Sequence, residues 1–87
     1  MPEKEVEGKL IGKIVHYFDK IQVAVVELSD SLKVGETIRI VGGDIDFEQT
    51  VDSMQIDHKE IQKAKKGDEV GMKVSEIVRD GYRVYKI

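Results

Sequence analysis

The sequence predicts an all-β domain, a small antiparallel barrel of six short strands. Short runs of β-branched and aromatic residues recur along the chain, bounded by Gly, Asp and Ser turn signals. The one proline stands at position 2, outside these runs. No segment sustains a helical period long enough to form a full helix. Closure into a barrel is expected because it removes exposed strand edges.

Residues 1–7 show no periodicity and predict a frayed tail, leaving one domain over 8–87. KLIGKIVHYF reads as the first strand, Asp19-Lys20 as a turn, and IQVAVVEL as the second strand of a hairpin. In that second strand Ala24, Val26 and Leu28 share one face, while Val23, Val25 and Glu27 share the other. Both faces are largely apolar, so each expects partial cover. Ser29-Asp30-Ser31 forms a polar turn.

In LKVGETIRIVGG, Gly35 marks a reversal that calls for positive φ, a conformation open to a residue without Cβ. Ile38 and Ile40 then face inward, Thr37 and Arg39 outward, and Gly42-Gly43-Asp44 ends the strand as an ordinary loop rather than a phosphate cradle. In FEQTVDSMQI the apolar residues change parity, with Phe47 and Val51 odd, Met54 and Ile56 even. A bulge near Asp52-Ser53 would restore the register and supply the bend a small barrel needs. DHKEIQKAKK fits one short helical turn or a loop lying on the barrel. Gly67-Asp68 repeats the earlier turn and EVGMKVS alternates, with Val70, Met72 and Val74 inward. After Asp80-Gly81, YRVYKI closes the domain around Val84.

A chain of 87 residues buries only about 60–65% of its unfolded surface, so its core is small. With no cysteine there are no disulfide or thiolate sites. No stretch approaches the ~20 apolar residues of a membrane span. The charged start lacks the apolar centre of a signal peptide, so a cytoplasmic protein without membrane contact is expected. Seventeen acids against fourteen bases give a formal net charge of −3. A protein gripping nucleic acid through phosphates usually carries a basic excess; any RNA contact therefore needs a local patch, and no DNA partner is expected.

Nothing in the sequence predicts an enzyme. Only His16 and His58 could act as histidine bases, and neither has the neighbours of a nucleophilic triad. Asp44 with Asp46, and Asp57 with His58, are too few for a calcium or zinc site, so no metal or cofactor is expected.

Two cationic features are candidate binding surfaces. Lys59, Lys63, Lys65 and Lys66 form a basic run; on a helical turn Lys59, Lys63 and Lys66 would share a face, although a solvated loop fits the same residues. Tyr17, with His16 and Phe18, lies near Lys20. Tyr82 and Tyr85 join them if the first and last strands pair. Such aromatics could stack on bases or simply pack on the barrel.

The phrases VAVVELSDSLKVGETIRIVGG, TVDSMQI and AKKGDEVGMKV, in that order, resemble domain II of translational GTPases such as elongation factor Tu and initiation factor 2. Leu32, Lys33, Val34, Gly35, Glu36, Ile38 and Ile40 match the first motif; Thr50, Val51, Ser53 and Met54 the second; Ala64, Gly67, Asp68, Val70 and Gly71 the third. The resemblance covers about Gly8 to Ile87 and is greatest to stand-alone translation elongation factor-like proteins; it implies a Greek-key type barrel. A related barrel forms the C-terminal part of some collagenase-like peptidases. No P-loop is present, so the resemblance implies no GTPase activity, and no tRNA-contacting residue carries over. It implies a non-enzymatic module that contacts RNA or a ribosome-associated partner. The alternative is an adaptor barrel acting in trans with a larger, peptidase-type enzyme without RNA contact, which an exposed apolar patch would favour.

Overall fold

Ile11 and Ile14 lie three residues apart in one strand, yet both are fully buried. β1 (Lys9–Phe18) achieves this through two bulges, between Leu10 and Gly12 on one side and between Ile14 and His16 on the other. Each adds a residue the partner strand does not match, which resets the side-chain alternation and bends the strand. After the second bulge Tyr17 lies opposite buried Ala24, while His16 and Phe18 are exposed on the outer face. Gly12 permits the close crossing: a Cβ there would stand 2.6 Å from the Glu27 carbonyl oxygen.

The computed structural model describes residues 8–43 and 45–87, so the tail expected at 1–7 and the turn residue Asp44 lie outside the described residues. After β1 come β2 (Val23–Leu28), β3 (Leu32–Lys33), β4 (Thr37–Gly42), β5 (Ile45–Thr50) and β6 (Met54–Ile56). β7 (Lys59–Ile61), β8 (Lys63–Ala64), β9 (Glu69–Lys73) and β10 (Arg83–Lys86) complete the order. The fold is all-β and its described pairings are antiparallel. Eight strands form one sheet in the order β5-β4-β10-β1-β2-β9-β6-β7, and β3 pairs with β8. No helix among the described residues is long and apolar enough to cross a membrane.

Two expectations need correction. There are ten strands among the described residues rather than six: segments expected as turns or loops around 32–33 and 57–66 form short ladders containing β3, β7 and β8, and the one strand expected over FEQTVDSMQI is divided into β5 and β6. The sheet is also not closed into a barrel: β5 and β7 are its edges, and no ladder joins them. The physical reason lies at 51–53, where the chain leaves the ladder between β5 and β6. This interruption allows Val51 and Met54 to be buried together despite their change of parity.

Gln49 bridges part of the open side. Its Nε2 donates to the Lys73 carbonyl at 2.8 Å, and its Oε1 accepts from the Ser75 N–H at 2.9 Å. A side-chain amide, with one donor and one acceptor in use, thus stands in for the peptide group of a missing strand. Gln49→Ala is expected to lower stability by about 1–2 kcal/mol through these two bonds, read as a lower urea midpoint at unchanged m-value.

Inside, the alternating residues meet in one core. Ala24, Val26 and Leu28 pack with Ile38, Ile40, Val70, Met72, Val74 and Val84, all buried. No polar or charged side chain among the described residues is buried with them. At one end the Lys9 ammonium meets the Asp30 carboxylate at 2.5 Å. That hydrogen bond, with a second from the Ser31 N–H, holds the Asp30 pKa below its ordinary value. A lowered folded-state pKa means that this contact contributes above the ordinary carboxylate range and is lost as pH falls through the folded value.

Candidate functional site

β2 is apolar on both faces, and only one of them faces the core. Val23 and Val25 are half-buried on the outer face, where no second layer among the described residues covers them. On the neighbouring strand β9, Gly71 lies opposite Val25 and also opposite Gln55 of β6. A glycine at this point leaves a trough in the sheet. A Cβ added there would meet the Val23 Cγ1 at 3.3 Å and the Gln55 carbonyl oxygen at 4.0 Å.

The trough has walls. Phe18 and Ile21, from the β1–β2 hairpin, are 47% and 59% exposed and stand beside it. Phe18 is braced edge-on by the His16 ring, with centroids 4.3 Å apart and planes at 63°. Gln55, Asp57 and His58 form the opposite wall, and Glu69 also lines the groove, which encloses about 440 Å³. Large apolar residues clustered in an open concavity mark binding surfaces far more often than isolated ones do.

The wall at 57–58 is a strained turn. Ile56 pairs with Lys59, so the loop has two residues, and Asp57 and His58 have φ of 53° and 66°. Positive φ at both positions is the type I′ hairpin, which favours Gly at the second. His58→Gly is expected to stabilise the domain by about 0.5–1 kcal/mol, a rise in Tm of about 2–8 °C by thermal melt.

Charge is distributed unevenly around the groove. Along one side run Lys13, Glu27 and Glu69 on adjacent strands, with the two glutamates directly opposite one another. Like charges so placed are mutually destabilising. Glu60 lies beyond Gln55, whereas Lys73 stands opposite Val23 on the other side. Among the described residues no group of three or more His, Asp or Glu is placed to hold a metal.

The expected site residues are distributed differently. Lys59 begins β7 opposite Ile56, on the face of β7 away from Glu60. Lys63 lies in β8 opposite Lys33, and Lys65 and Lys66 precede the turn at Gly67. All four are exposed, but the expected helical face is absent because 59–61 and 63–64 are strands. No carboxylate ion pair is formed by these four among the described residues.

The aromatics separate too. β1 and β10 do pair, but Tyr85 lies opposite Leu10 at one end of β1, while Tyr17 lies near the other end on the inner face. Tyr82 lies over Gly42 and Gly43, its ring occupying the space their side chains would need. Lys20 is exposed in the hairpin turn. Of the groove residues, Phe18 belongs to the aromatic cluster considered as a binding surface, but Ile21, Val23, Val25 and Gly71 were not among the expected site residues. Their one sequence signal is the second apolar face of β2.

No protein-family model matches the chain. Over 76 residues, 86% of its length, it is 47% identical to an uncharacterized protease of Methanocaldococcus jannaschii. The chain spans only 19% of that relative. Its fold matches the C-terminal domain of a Geobacillus thermoleovorans protein named as a U32 peptidase, with TM-score 0.85 over 98% of this chain and 99% of that domain at 17% identity. A selenomethionine variant of the same domain gives TM-score 0.86 over 90% of this chain and 99% of that one, at 18% identity.

These relatives overturn the resemblance to translation factors, including the expectation of a translation-factor barrel. The motifs that carried it encode turns: Gly35 and Gly67 have φ of 97° and 93°, with nothing within 4 Å of an added Cβ. Such positions reflect local backbone demands that unrelated small β-domains share.

Proposed function

We propose that the chain is a non-catalytic β module that works with a larger chain of the U32 peptidase kind, docked through the groove on its outer face. The observation that carries this reading is the 47% identity of nearly the whole domain to one-fifth of a much longer protease. The fold match to a C-terminal peptidase domain supports it. So does an apolar groove that a free domain leaves open to water. His16 is packed against Phe18 and His58 sits in a turn, so neither is arranged as a base beside a nucleophile. A cysteine-free domain suits a cytoplasmic setting.

An RNA contact through Lys59, Lys63, Lys65 and Lys66 is the second reading, favoured by the absence, among the described residues, of ion pairs to these lysines.

Sedimentation velocity of the purified chain mixed with a purified U32-type peptidase chain from the same organism separates the two. A complex of defined stoichiometry in nuclease-treated samples is expected. Two independently sedimenting species at every concentration up to about 100 µM, a limit corresponding to roughly 5.5 kcal/mol of binding free energy, would overturn the docking reading.

A further inference from the structure

We infer that the groove receives an extended peptide segment in which an aliphatic side chain and a Lys or Arg are separated by one residue. This inference rests on the docking reading above and specifies the chemistry of the docked segment.

The spacing follows from the sheet. Val25 and Gly71 form the apolar floor, and two residues along the same faces of β2 and β9 stand Glu27 and Glu69. Two residues of strand span about 6.8 Å. That is also the separation of side chains i and i+2 on one face of an extended peptide. An aliphatic side chain over Gly71 therefore places the side chain at i+2 above the opposed glutamates. In the free domain Lys13 offsets Glu27 from the β1 side, whereas Glu69 stands between Glu27 and the groove's Asp57, and a cation over this pair relieves the repulsion that remains.

The other direction is less favourable to a second cation. Two residues the opposite way along the strands, Val23 faces Lys73. The groove is thus polar in the electrostatic sense, apolar at the centre, acidic at one end and basic at the other. Either chain direction fits, because the recognition lies in the side chains rather than in a ladder.

Gly71 supplies the blocking variant. Its φ is not in the left-handed region, and an added side chain meets chiefly the Val23 methyl at 3.3 Å. Gly71→Val therefore fills the trough with a residue favoured in strands.

The test is an NMR titration of the isotope-labelled 87-residue chain with three synthetic peptides on a Gly-Ser background. One carries Leu-Ser-Lys, one Leu-Ser-Glu, and one Leu and Lys as immediate neighbours. The first is expected to shift the amide signals of Val25, Glu69 and Gly71 and to bind at least about tenfold more tightly than the others, a difference of about 1.4 kcal/mol. Gly71→Val should lose this binding with its spectrum still dispersed. The double variant Glu27→Lys with Glu69→Lys should prefer the Leu-Ser-Glu peptide.

Equal affinity for the Lys and Glu peptides, shifts centred on 59–66, or undiminished binding by Gly71→Val would overturn the inference. So would the absence of any shift at millimolar peptide, or concentration-dependent shifts at the groove without peptide, which would assign it to a second copy of the chain. The titration contains no peptidase. Failure here with an intact complex rejects only the segment chemistry, whereas peptide binding without complex formation rejects the docking reading.

Discussion

Val25→Asp is expected to weaken association with the peptidase-type partner by at least about a hundredfold, or roughly 3 kcal/mol. Val25 lies at the centre of the groove floor, flanked across the sheet by His16 and Gly71. Replacing it removes an apolar contact worth about 1.5–3 kcal/mol when buried at an interface. It also places a carboxylate beside Glu27 and Glu69, and docking would bury that charge without a partner. The free domain should tolerate the change, because this side chain faces solvent rather than the core. Its β-propensity cost is about 1 kcal/mol or less. Titration calorimetry on the variant, with a melting curve to establish that it is folded, reads both quantities. A folded variant that binds within a factor of a few of the parent would place the interface elsewhere.

Ile40→Ala should have the largest effect on stability. Ile40 is fully buried on β4, between Phe47 of β5 and Val84 of β10. It therefore ties the edge strand to the centre of the sheet. Truncating such a residue costs about 2–5 kcal/mol, the transfer term plus the cavity left behind. Small domains have only about 5–15 kcal/mol in total. At mid-range values, about 3.5 of about 10 kcal/mol, the urea midpoint should fall by roughly a third at constant m-value. A change below about 0.5 kcal/mol would mean that the core does not close around β4. Groove variants and core variants thus predict opposite signatures, one losing binding at constant stability and the other losing stability first.

Much of this architecture was legible in the chain. The hairpin around Asp19-Lys20, the two faces of β2 and the inward sets on β4 and β9 follow from alternation; its slip near Asp52-Ser53, expected as a bulge within one strand, is instead a break that separates β5 from β6. Alternation is a strong signal because one face of each strand is buried. The bulges in β1 were less visible, since KLIGKIVHYF is apolar at nearly every second and third position and does not reveal which residue is extra. The ladder at 57–61 was hidden by its turn, where Asp57-His58 adopts a geometry that Asn-Gly would have announced.

The groove was half legible. Two apolar faces on β2 called for a cover on each side, and only the inner one is supplied within the described residues. Its shape depends on Gly71 lying beside Val25, which is a matter of cross-strand register and cannot be read along the chain. The tyrosines, conspicuous in sequence, are set apart by the same registers, and the lysine run lies along short strands and a turn rather than on a helical face. The translation-factor motifs misled for a related reason, since turn-forming residues repeat wherever a chain must reverse.

Hydrogen–deuterium exchange of the chain, free and bound to the U32-type partner, tests docking through the groove most directly. Protection on binding is expected at 18–25, 55–58 and 69–71, the segments that line the groove, with 59–66 unchanged beyond the turn. Protection confined to the lysine segment 59–66, with the groove exchanging as in the free chain, would contradict it.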